Sequence, residues 1–200
     1  RETQQSRLRL VAPAMAELSA GRVSMPPRVA ARIPEQEALL GVMPAYLSSS
    51  RTLAAKLVSV FPHNEAVGLP THQAVIAVFD AATGSCVALM DGTYITAART
   101  AAGSALATRL LARADAVVLV IVGTGVQARM HGRLIPRVRA IREVRVVGRR
   151  PERAATLAAE LARELAIPVR AVDSFEQAAA GAGVICAATH ASEPVVLGRF

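Results

Sequence analysis

Apolar residues recur with two different periodicities along this chain. In the first half, an apolar stripe at helical spacing predicts a helix over residues 7–18, which Gly21 ends. An alanine-rich segment, 93–112, predicts a second and longer helix. Extended structure is predicted at 28–33, 53–61, 73–79 and 86–90, with a further apolar segment at 39–47; the last two extended segments form a hairpin across 80–85.

From Asp115 onward, short apolar strands alternate with helical segments. This alternation predicts a parallel sheet covered by helices, so the chain has two parts with a boundary near Ala114. A glycine-rich turn follows the first of these strands. The predicted strands are 116–122, 144–147, 169–172 and 184–188, and the predicted helices are 126–139, 151–165 and 174–180.

Apolar residues make up 52% of the chain, whereas aromatic residues make up 3% and tryptophan is absent. The core is therefore expected to consist of Ala, Val, Leu and Ile, which suits helices packed on a parallel sheet. The longest apolar run, 116–122, is far shorter than the ~20 residues that cross a membrane. The first residues also lack the apolar segment of a signal peptide, so we expect a soluble cytoplasmic protein without membrane contact.

The formal net charge of +8 comes almost entirely from arginine, and Lys56 is the only lysine. The arginines are scattered and few aromatic residues can stack bases, so the charge favours solvated basic faces over nucleic-acid binding. An isolated lysine in an arginine-rich chain suggests that an ammonium group is needed there; chance retention is the alternative. Two isolated cysteines and four histidines without ligand spacing indicate neither a disulfide nor a metal site.

The strongest chemical signal is a glycine motif, Gly123-x-Gly125-x-x-Ala128, between a predicted strand and a predicted helix. The first glycine permits a tight turn, the second lets the backbone approach a pyrophosphate, and the alanine allows close packing. The helix N-terminus would offer its amides to the phosphates. We predict a dinucleotide-binding βαβ unit; a tight turn without a ligand is the alternative. The residues expected to contact the cofactor are Gly123, Thr124, Gly125, Val126 and Gln127.

The second strand of this unit ends in Gly148-Arg149-Arg150. NAD enzymes usually carry an acidic residue here that binds the ribose 2′-hydroxyl, and this chain has none. Guanidinium groups pair bidentately with phosphate, so Arg149 and Arg150 favour NADP(H), with NAD(H) as the second cofactor. The alternative is that both arginines face solvent and bind no phosphate. At the end of the fourth strand, Thr189 is a candidate hydrogen-bonding partner of the cofactor, and His190 is expected on a surface loop.

Three cations in the first half occupy distinctive positions. Arg28 follows two prolines, Lys56 interrupts an apolar strand, and Arg99 lies near the start of a helix. A charge inside an apolar strand is costly unless it is paired. The three would form a carboxylate-binding pocket if they converge. Sequence spacing alone favours the alternative of three separate ion pairs.

Six segments follow one another along the chain: MPPR at 25–28, MPAYL at 43–47, KLVSVFP at 56–62, TAARTAA at 96–102, GTGVQA at 123–128 and AATHASEPV at 187–195. In this order and at these separations they resemble the ornithine cyclodeaminase/μ-crystallin family, and the similarity runs from about residue 8 to the end of the chain. The resemblance implies a homodimer. It also implies an α+β substrate-binding and dimerisation domain, 1–113, before an NAD(P)-binding Rossmann-type domain, 114–200.

The resemblance further implies roles for single residues. Arg28, Lys56 and Arg99 match family positions around the substrate carboxylate, and Lys56 is also placed to assist proton transfer or to polarise an imine. Thr71 matches a position near the cofactor. The substrates implied are small α-amino or α-imino acids.

Compared with the family, the chain lacks a first helix and strand and a segment with an acidic general base, expected beyond residue 200. We therefore expect an incomplete Rossmann-type sheet, and a fragment that is inactive and marginally folded alone. The activity predicted for the whole protein is hydride transfer between nicotinamide and the α-carbon of a small imino or amino acid, as in ketimine and pyrroline-2-carboxylate reductases. Ornithine cyclodeamination to proline and ammonia with recycled NAD is one alternative. Non-catalytic binding of NADP(H) or another ligand is the other.

Overall fold

The computed structural model describes residues 4–191 and 193–196. The chain divides into two compact units, one of residues 12–96 and one that joins 1–11 to 97–200. The family-like segment 187–195 includes Ser192, which lies outside the described residues. The functional domains expected at 1–113 and 114–200 stay predictions.

Residues 12–96, all of them described, contain an antiparallel sheet of six strands. The strands lie in the order β1-β3-β4-β5-β6, and β2 pairs with β3 as well. Each predicted extended segment of this region is confirmed as a strand, and the apolar segment at 39–47 is also a strand. The strands are β1 Val23–Ser24, β2 Val29–Ile33, β3 Ala38–Leu47, β4 Thr52–Val60, β5 His72–Phe79 and β6 Cys86–Asp91. Antiparallel pairing of β5 with β6 confirms the predicted hairpin.

One line of aligned apolar residues crosses this sheet, and we call it the apolar row. Val29 pairs with Val42, Val42 with Leu57, and Leu57 with Val75. Directly opposed residues share a face of the sheet, so all four side chains lie on the same side. Val29, Leu57 and Val75 are 62%, 39% and 47% exposed. This face of the sheet therefore presents apolar side chains to solvent.

The described residues of the second unit contain a parallel sheet of four strands in the order β10-β7-β8-β9. Strands and helices alternate along the chain, which confirms the predicted α/β class for this part. The helices α1 Gln4–Ser19 and α2 Gly92–Leu111 each contribute residues to both units. The remaining elements are β7 Val118–Val122, α3 Val126–Leu134, β8 Glu143–Val147, α4 Pro151–Glu164, β9 Val169–Ala171, α5 Phe175–Ala179 and β10 Val184–Ala187.

Branched aliphatic residues fill the parallel sheet, as the composition predicts. Leu119, Val120 and Ile121 of β7 are completely buried, and so are Val144 and Val146 of β8. Long apolar side chains on both faces are typical of a parallel strand that helices cover. Two of the strands that carry the candidate site, β7 and β8, therefore lie in the core of this unit.

Helix α3 packs closely on α4. A Cβ at Gly132 would lie 2.6 Å from Leu161 Cδ1, so any larger residue would require the Leu161 side chain to shift. Arg133 of α3 also bridges Glu160 and Glu164 of α4, with N–O distances of 2.8 and 2.6 Å. These contacts fix the helix that follows the glycine motif.

The helix predicted at 126–139 is too long. Helix α3 ends at Leu134, and a 3-10 turn, Ile135–Arg137, follows it. Pro136 lies in that turn. Proline has no amide hydrogen and its ring clashes with the preceding turn of an α-helix, so it ends the helix early.

Candidate functional site

The glycine motif forms the loop between β7 and α3. Gly123 has a φ angle of 123°, a region that other residues rarely adopt. Its amide donates a hydrogen bond to the Val147 carbonyl, with an N–O distance of 2.8 Å. A Cβ at Gly123 would collide with the Ala188 carbonyl oxygen. The first glycine is thus required by the protein itself, because the loop passes tightly between the ends of β8 and β10.

The second glycine of the motif, unlike the first, has open space around it. Gly125 is exposed, its φ angle is an ordinary −84°, and a Cβ there would meet nothing within 4 Å. No contact or strain among the described residues therefore requires a glycine here. The open space beside the backbone fits a pyrophosphate that approaches it closely, which is the function expected of this position.

The start of α3 supplies the donors that such a group needs. The first amides of a helix have no partner within the helix, and the peptide dipoles place partial positive charge there. In the described part of the chain, no side chain caps this helix at Gly125. Ala128 is completely buried, so the small third position lets α3 pack against the sheet. The loop and the helix start together fit a dinucleotide.

Position 148 lies beside the same loop. A Cβ at Gly148 would lie 2.8 Å from the γ-methyl carbon of Thr124, so the end of β8 and the loop are in contact. Arg149 and Arg150 follow Gly148 and are both exposed. The structure thus brings the two predicted arginines to the carboxyl end of β8, next to the glycine motif.

The end of β10 forms the other side of the loop. The Ala188 amide donates a hydrogen bond to the Val122 carbonyl, with an N–O distance of 2.8 Å. Thr189 follows and is exposed, and its backbone nitrogen would be 3.3 Å from a Cβ at Gly123. The predicted residue Thr189 therefore lies at the glycine loop. His190 is exposed, as expected of a surface histidine.

His131, for which the sequence pattern predicts no role, is 5% exposed and lies on α3. Its ring nitrogens lie within hydrogen-bonding distance of the Gln127 carbonyl and the Ser104 hydroxyl. The sequence carried one signal for it. Ala128, His131 and Ile135 share a helical face, which is otherwise apolar and buried.

The predicted substrate residues lie in both units. Register pairs Val29 with Val42 and Lys56 with Met43, so Lys56 and the residue that follows Arg28 pair with adjacent residues of β3. Arg28 itself lies just before β2 begins. Arg28 is exposed and Lys56 is half-buried.

Arg99 and Thr71 complete the predicted set. Arg99 is exposed on α2, about two turns after the helix begins at Gly92. It belongs to the unit that contains the glycine loop, whereas Arg28 and Lys56 belong to the other. Thr71 is half-buried before β5, and its carbonyl accepts a hydrogen bond from the Phe61 amide at 2.8 Å. Convergence of the three cations stays a prediction.

The described residues contain no cluster of His, Cys, Asp or Glu arranged to hold a metal. They also contain no helix long and apolar enough to cross a membrane.

The fold and the loop are those of an α/β protein with a Rossmann-type parallel sheet and an additional antiparallel sheet. The chain belongs to the ornithine cyclodeaminase/mu-crystallin family, which matches residues 2–200. It is similar to the ketimine reductase mu-crystallin of Mus musculus, with 38% identity over 180 residues, which are 90% of this chain and 56% of the mouse protein. The chain thus spans about half the length of the curated relatives that it matches.

Two solved structures are similar throughout this chain. One is the Thermococcus litoralis Δ1-pyrroline-2-carboxylate reductase in complex with NADH and L-proline, with a TM-score of 0.93 and 37% identity; the match covers 97% of this chain and 60% of that one. The other is an archaeal alanine dehydrogenase dimer with bound NAD, with a TM-score of 0.89 and 28% identity. This match covers 98% of the present chain and 59% of the dehydrogenase chain.

Proposed function

We propose that the full-length protein is an NAD(P)-dependent oxidoreductase that interconverts a small imino acid and the corresponding amino acid. The observation that carries this proposal is Gly125, a glycine that no contact among the described residues requires, in a loop shaped for a dinucleotide. The similarity to a ketimine reductase and a pyrroline-2-carboxylate reductase supports the reaction class. We assign residues 1–113 to substrate binding and dimerisation and 114–200 to cofactor binding.

The proposed substrate carboxylate is bound by cations. Arg28 and Arg99 would hold it through charge-assisted hydrogen bonds, which fix the orientation of the α-carbon. Lys56, in β4, would donate a proton to the imine nitrogen or stabilise charge near it. The nicotinamide, when bound, supplies or accepts the hydride.

We further propose a preference for NADP(H). Gly148 has no carboxylate for the ribose 2′-hydroxyl, whereas Arg149 and Arg150 carry guanidinium groups, which pair well with a 2′-phosphate. Their exposure beside the loop supports this assignment. NAD(H) would bind more weakly, through the same pyrophosphate contacts. The residues assigned to the cofactor are Thr71, Gly123, Thr124, Gly125, Val126, Gln127, Arg149, Arg150 and Thr189.

The proposed partner is a second copy of the chain. The apolar row leaves Val29, Leu57 and Val75 exposed across the antiparallel sheet, and such a surface favours association. Val75→Lys should convert a dimer to a monomer in analytical ultracentrifugation. Leu111→Lys, at an 83% exposed position on α2, is the matched control and should leave the dimer intact. If the Val75→Lys variant still sediments with the mass of a dimer, this face is not the dimer interface.

Turnover assays on the full-length protein separate the proposed reaction from the alternatives. A reductase consumes NADPH in proportion to added pyrroline-2-carboxylate or another cyclic ketimine, which absorbance follows directly. A cyclodeaminase releases proline and ammonia from ornithine with catalytic NAD and no net change in cofactor. A protein that binds NADPH and turns over none of these substrates would be a non-catalytic binder.

A further inference from the structure

The γ-methyl group of Thr124 fills the space that any side chain at position 148 would need. A Cβ at Gly148 would lie 2.8 Å from Thr124 Cγ2, which is closer than carbon atoms pack. The other Thr124 atoms near it, Cβ and Oγ1, would both be 4.0 Å away, at ordinary contact distance. A single methyl group thus accounts for the conflict.

The backbone of Gly148 gives no other reason for a glycine. Its φ angle lies outside the left-handed region that favours glycine, unlike that of Gly123. An L-amino acid could therefore adopt the same conformation without strain. Space, and not backbone geometry, restricts this position.

The backbone on both sides of the contact is held in place. The Gly123 amide is bonded to the Val147 carbonyl at 2.8 Å, so the residues on either side of the contact are tied together. Val147 is itself buried at the end of β8. A β-branched side chain has a restricted χ1 angle, so the methyl group has few alternative positions.

Position 148 also matters for the choice of cofactor. It lies about 20 residues after Ala128, at the end of the second strand, where NAD-binding units carry the acid for the ribose hydroxyls. We propose that Thr124 is a specificity-determining residue, because its methyl group excludes that acid from position 148. The ribose 2′ position is then left to Arg149 and Arg150. This inference rests on the proposed binding of NAD(P).

The test is a set of binding titrations on the full-length protein, with NADPH and NADH followed by cofactor fluorescence. Gly148→Ala adds only a Cβ, and in the presence of Thr124 it should weaken NADPH binding about tenfold, as overpacking of the loop requires. In the Thr124→Ser background the clashing methyl is absent, and the same change should cost less than about twofold. Thr124→Val retains γ-methyl groups without the hydroxyl, so this matched control should preserve the tenfold cost.

A second pair of variants tests specificity. Gly148→Asp combined with Thr124→Ser should reverse the ratio of NADH to NADPH affinity in favour of NADH. Gly148→Asp with Thr124 retained should bind both cofactors poorly, because the acid cannot occupy its productive position. Equal effects in the two backgrounds would overturn the inference.

Thermal unfolding of each variant without cofactor shows whether weak binding results from misfolding. The stability lost in Gly148→Ala should return in the double variant with Thr124→Ser, which a failure of folding unrelated to the contact would not allow. If the unaltered protein binds neither dinucleotide, both the proposed function and this inference fail. If it binds NADPH but positions 124 and 148 act independently, only this inference fails.

Discussion

His131 Nε2 lies 2.9 Å from Ser104 Oγ, while His131 Nδ1 lies 2.7 Å from the Gln127 carbonyl oxygen. A carbonyl oxygen can only accept a hydrogen bond, so Nδ1 carries the proton and Nε2 accepts from the serine hydroxyl. Burial lowers the pKa of His131 below its ordinary value, which favours the same neutral form. A neutral imidazole therefore joins the helix after the glycine loop to α2, within one unit.

His131→Phe should destabilise the protein by about 2 kcal/mol, because the ring volume is kept while the Ser104 hydroxyl loses its buried partner. Ser104→Ala should cost about 1 kcal/mol. The double variant should cost less than the two single changes added together, since both remove the same hydrogen bond. Urea unfolding measures all three, and strictly additive costs would show that the contact contributes nothing.

The lowered pKa of His131 also predicts a dependence of stability on pH. The unfolded state takes up a proton near pH 6.5, whereas the folded state does so only at lower pH. The stabilising contribution is therefore complete above about pH 6.5 and is lost as the pH falls towards the folded pKa. Unfolding curves from about one pH unit above this ordinary value to about one and a half units below it should show this loss in the unaltered protein and a smaller one in His131→Phe. Parallel pH profiles would contradict the assignment.

The two loop glycines should respond differently to alanine. Gly123→Ala should destabilise the protein by about 3 kcal/mol or more, because the side chain meets the Ala188 carbonyl at a strained φ angle. Gly125→Ala should leave the free energy of unfolding within about 0.5 kcal/mol, yet weaken NADPH binding about tenfold. Thermal unfolding and fluorescence titration measure the two effects. Unaltered NADPH affinity in Gly125→Ala would argue against a pyrophosphate at this loop.

Arg149→Gln should reduce the preference for NADPH over NADH by about tenfold or more, since it removes a charge-assisted contact with the 2′-phosphate. Arg142→Gln is the matched control, because Arg142 is exposed immediately before β8, at the opposite end of that strand. Its selectivity should equal that of the unaltered protein. Steady-state kinetics with both cofactors give the ratio, and a shift of equal size in the two variants would indicate a general effect of charge.

Lys56→Met should lower kcat/KM for the imino acid by about 100-fold or more, because a proton donor and a cation are lost together. Lys56→Arg keeps the charge without an easily transferred proton, so its KM should change less than its kcat. Arg32→Met removes an exposed cation from β2 of the same sheet and should leave kcat/KM within about twofold. Full activity in Lys56→Met would exclude Lys56 from catalysis.

Most helices and strands could be predicted from the sequence because each has an apolar periodicity that matches its own buried face. Strand β7 is a continuous apolar run, and Pro151 marks the start of α4 as predicted. The end of α3 was misplaced, since the apolar pattern continues past Pro136 although the helix does not. The apolar periodicity indicates which face of a helix is buried, whereas the position at which the helix ends depends on single residues such as proline.

The site was predictable only as far as local motifs extend. The positions of Gly123 and Gly125 follow from a short consecutive pattern, and so does their place between strand and helix. The contact of Thr124 with Gly148 depends on the register of two parallel strands, which the sequence does not encode locally. The bond from His131 to Ser104 joins residues 27 positions apart on different helices and left no comparable signal.

The glycine loop takes its shape from distant segments. Gly123 lies against the Ala188 carbonyl, and the Ala188 amide is bonded to Val122, so β10 forms one wall of the loop. Within the described sheet, β10 is an end strand that pairs only with β7. Local opening of β10 would also dismantle the loop. Ligand binding would then slow hydrogen exchange at Ala188, so occupancy of the loop could be followed at a residue that follows β10.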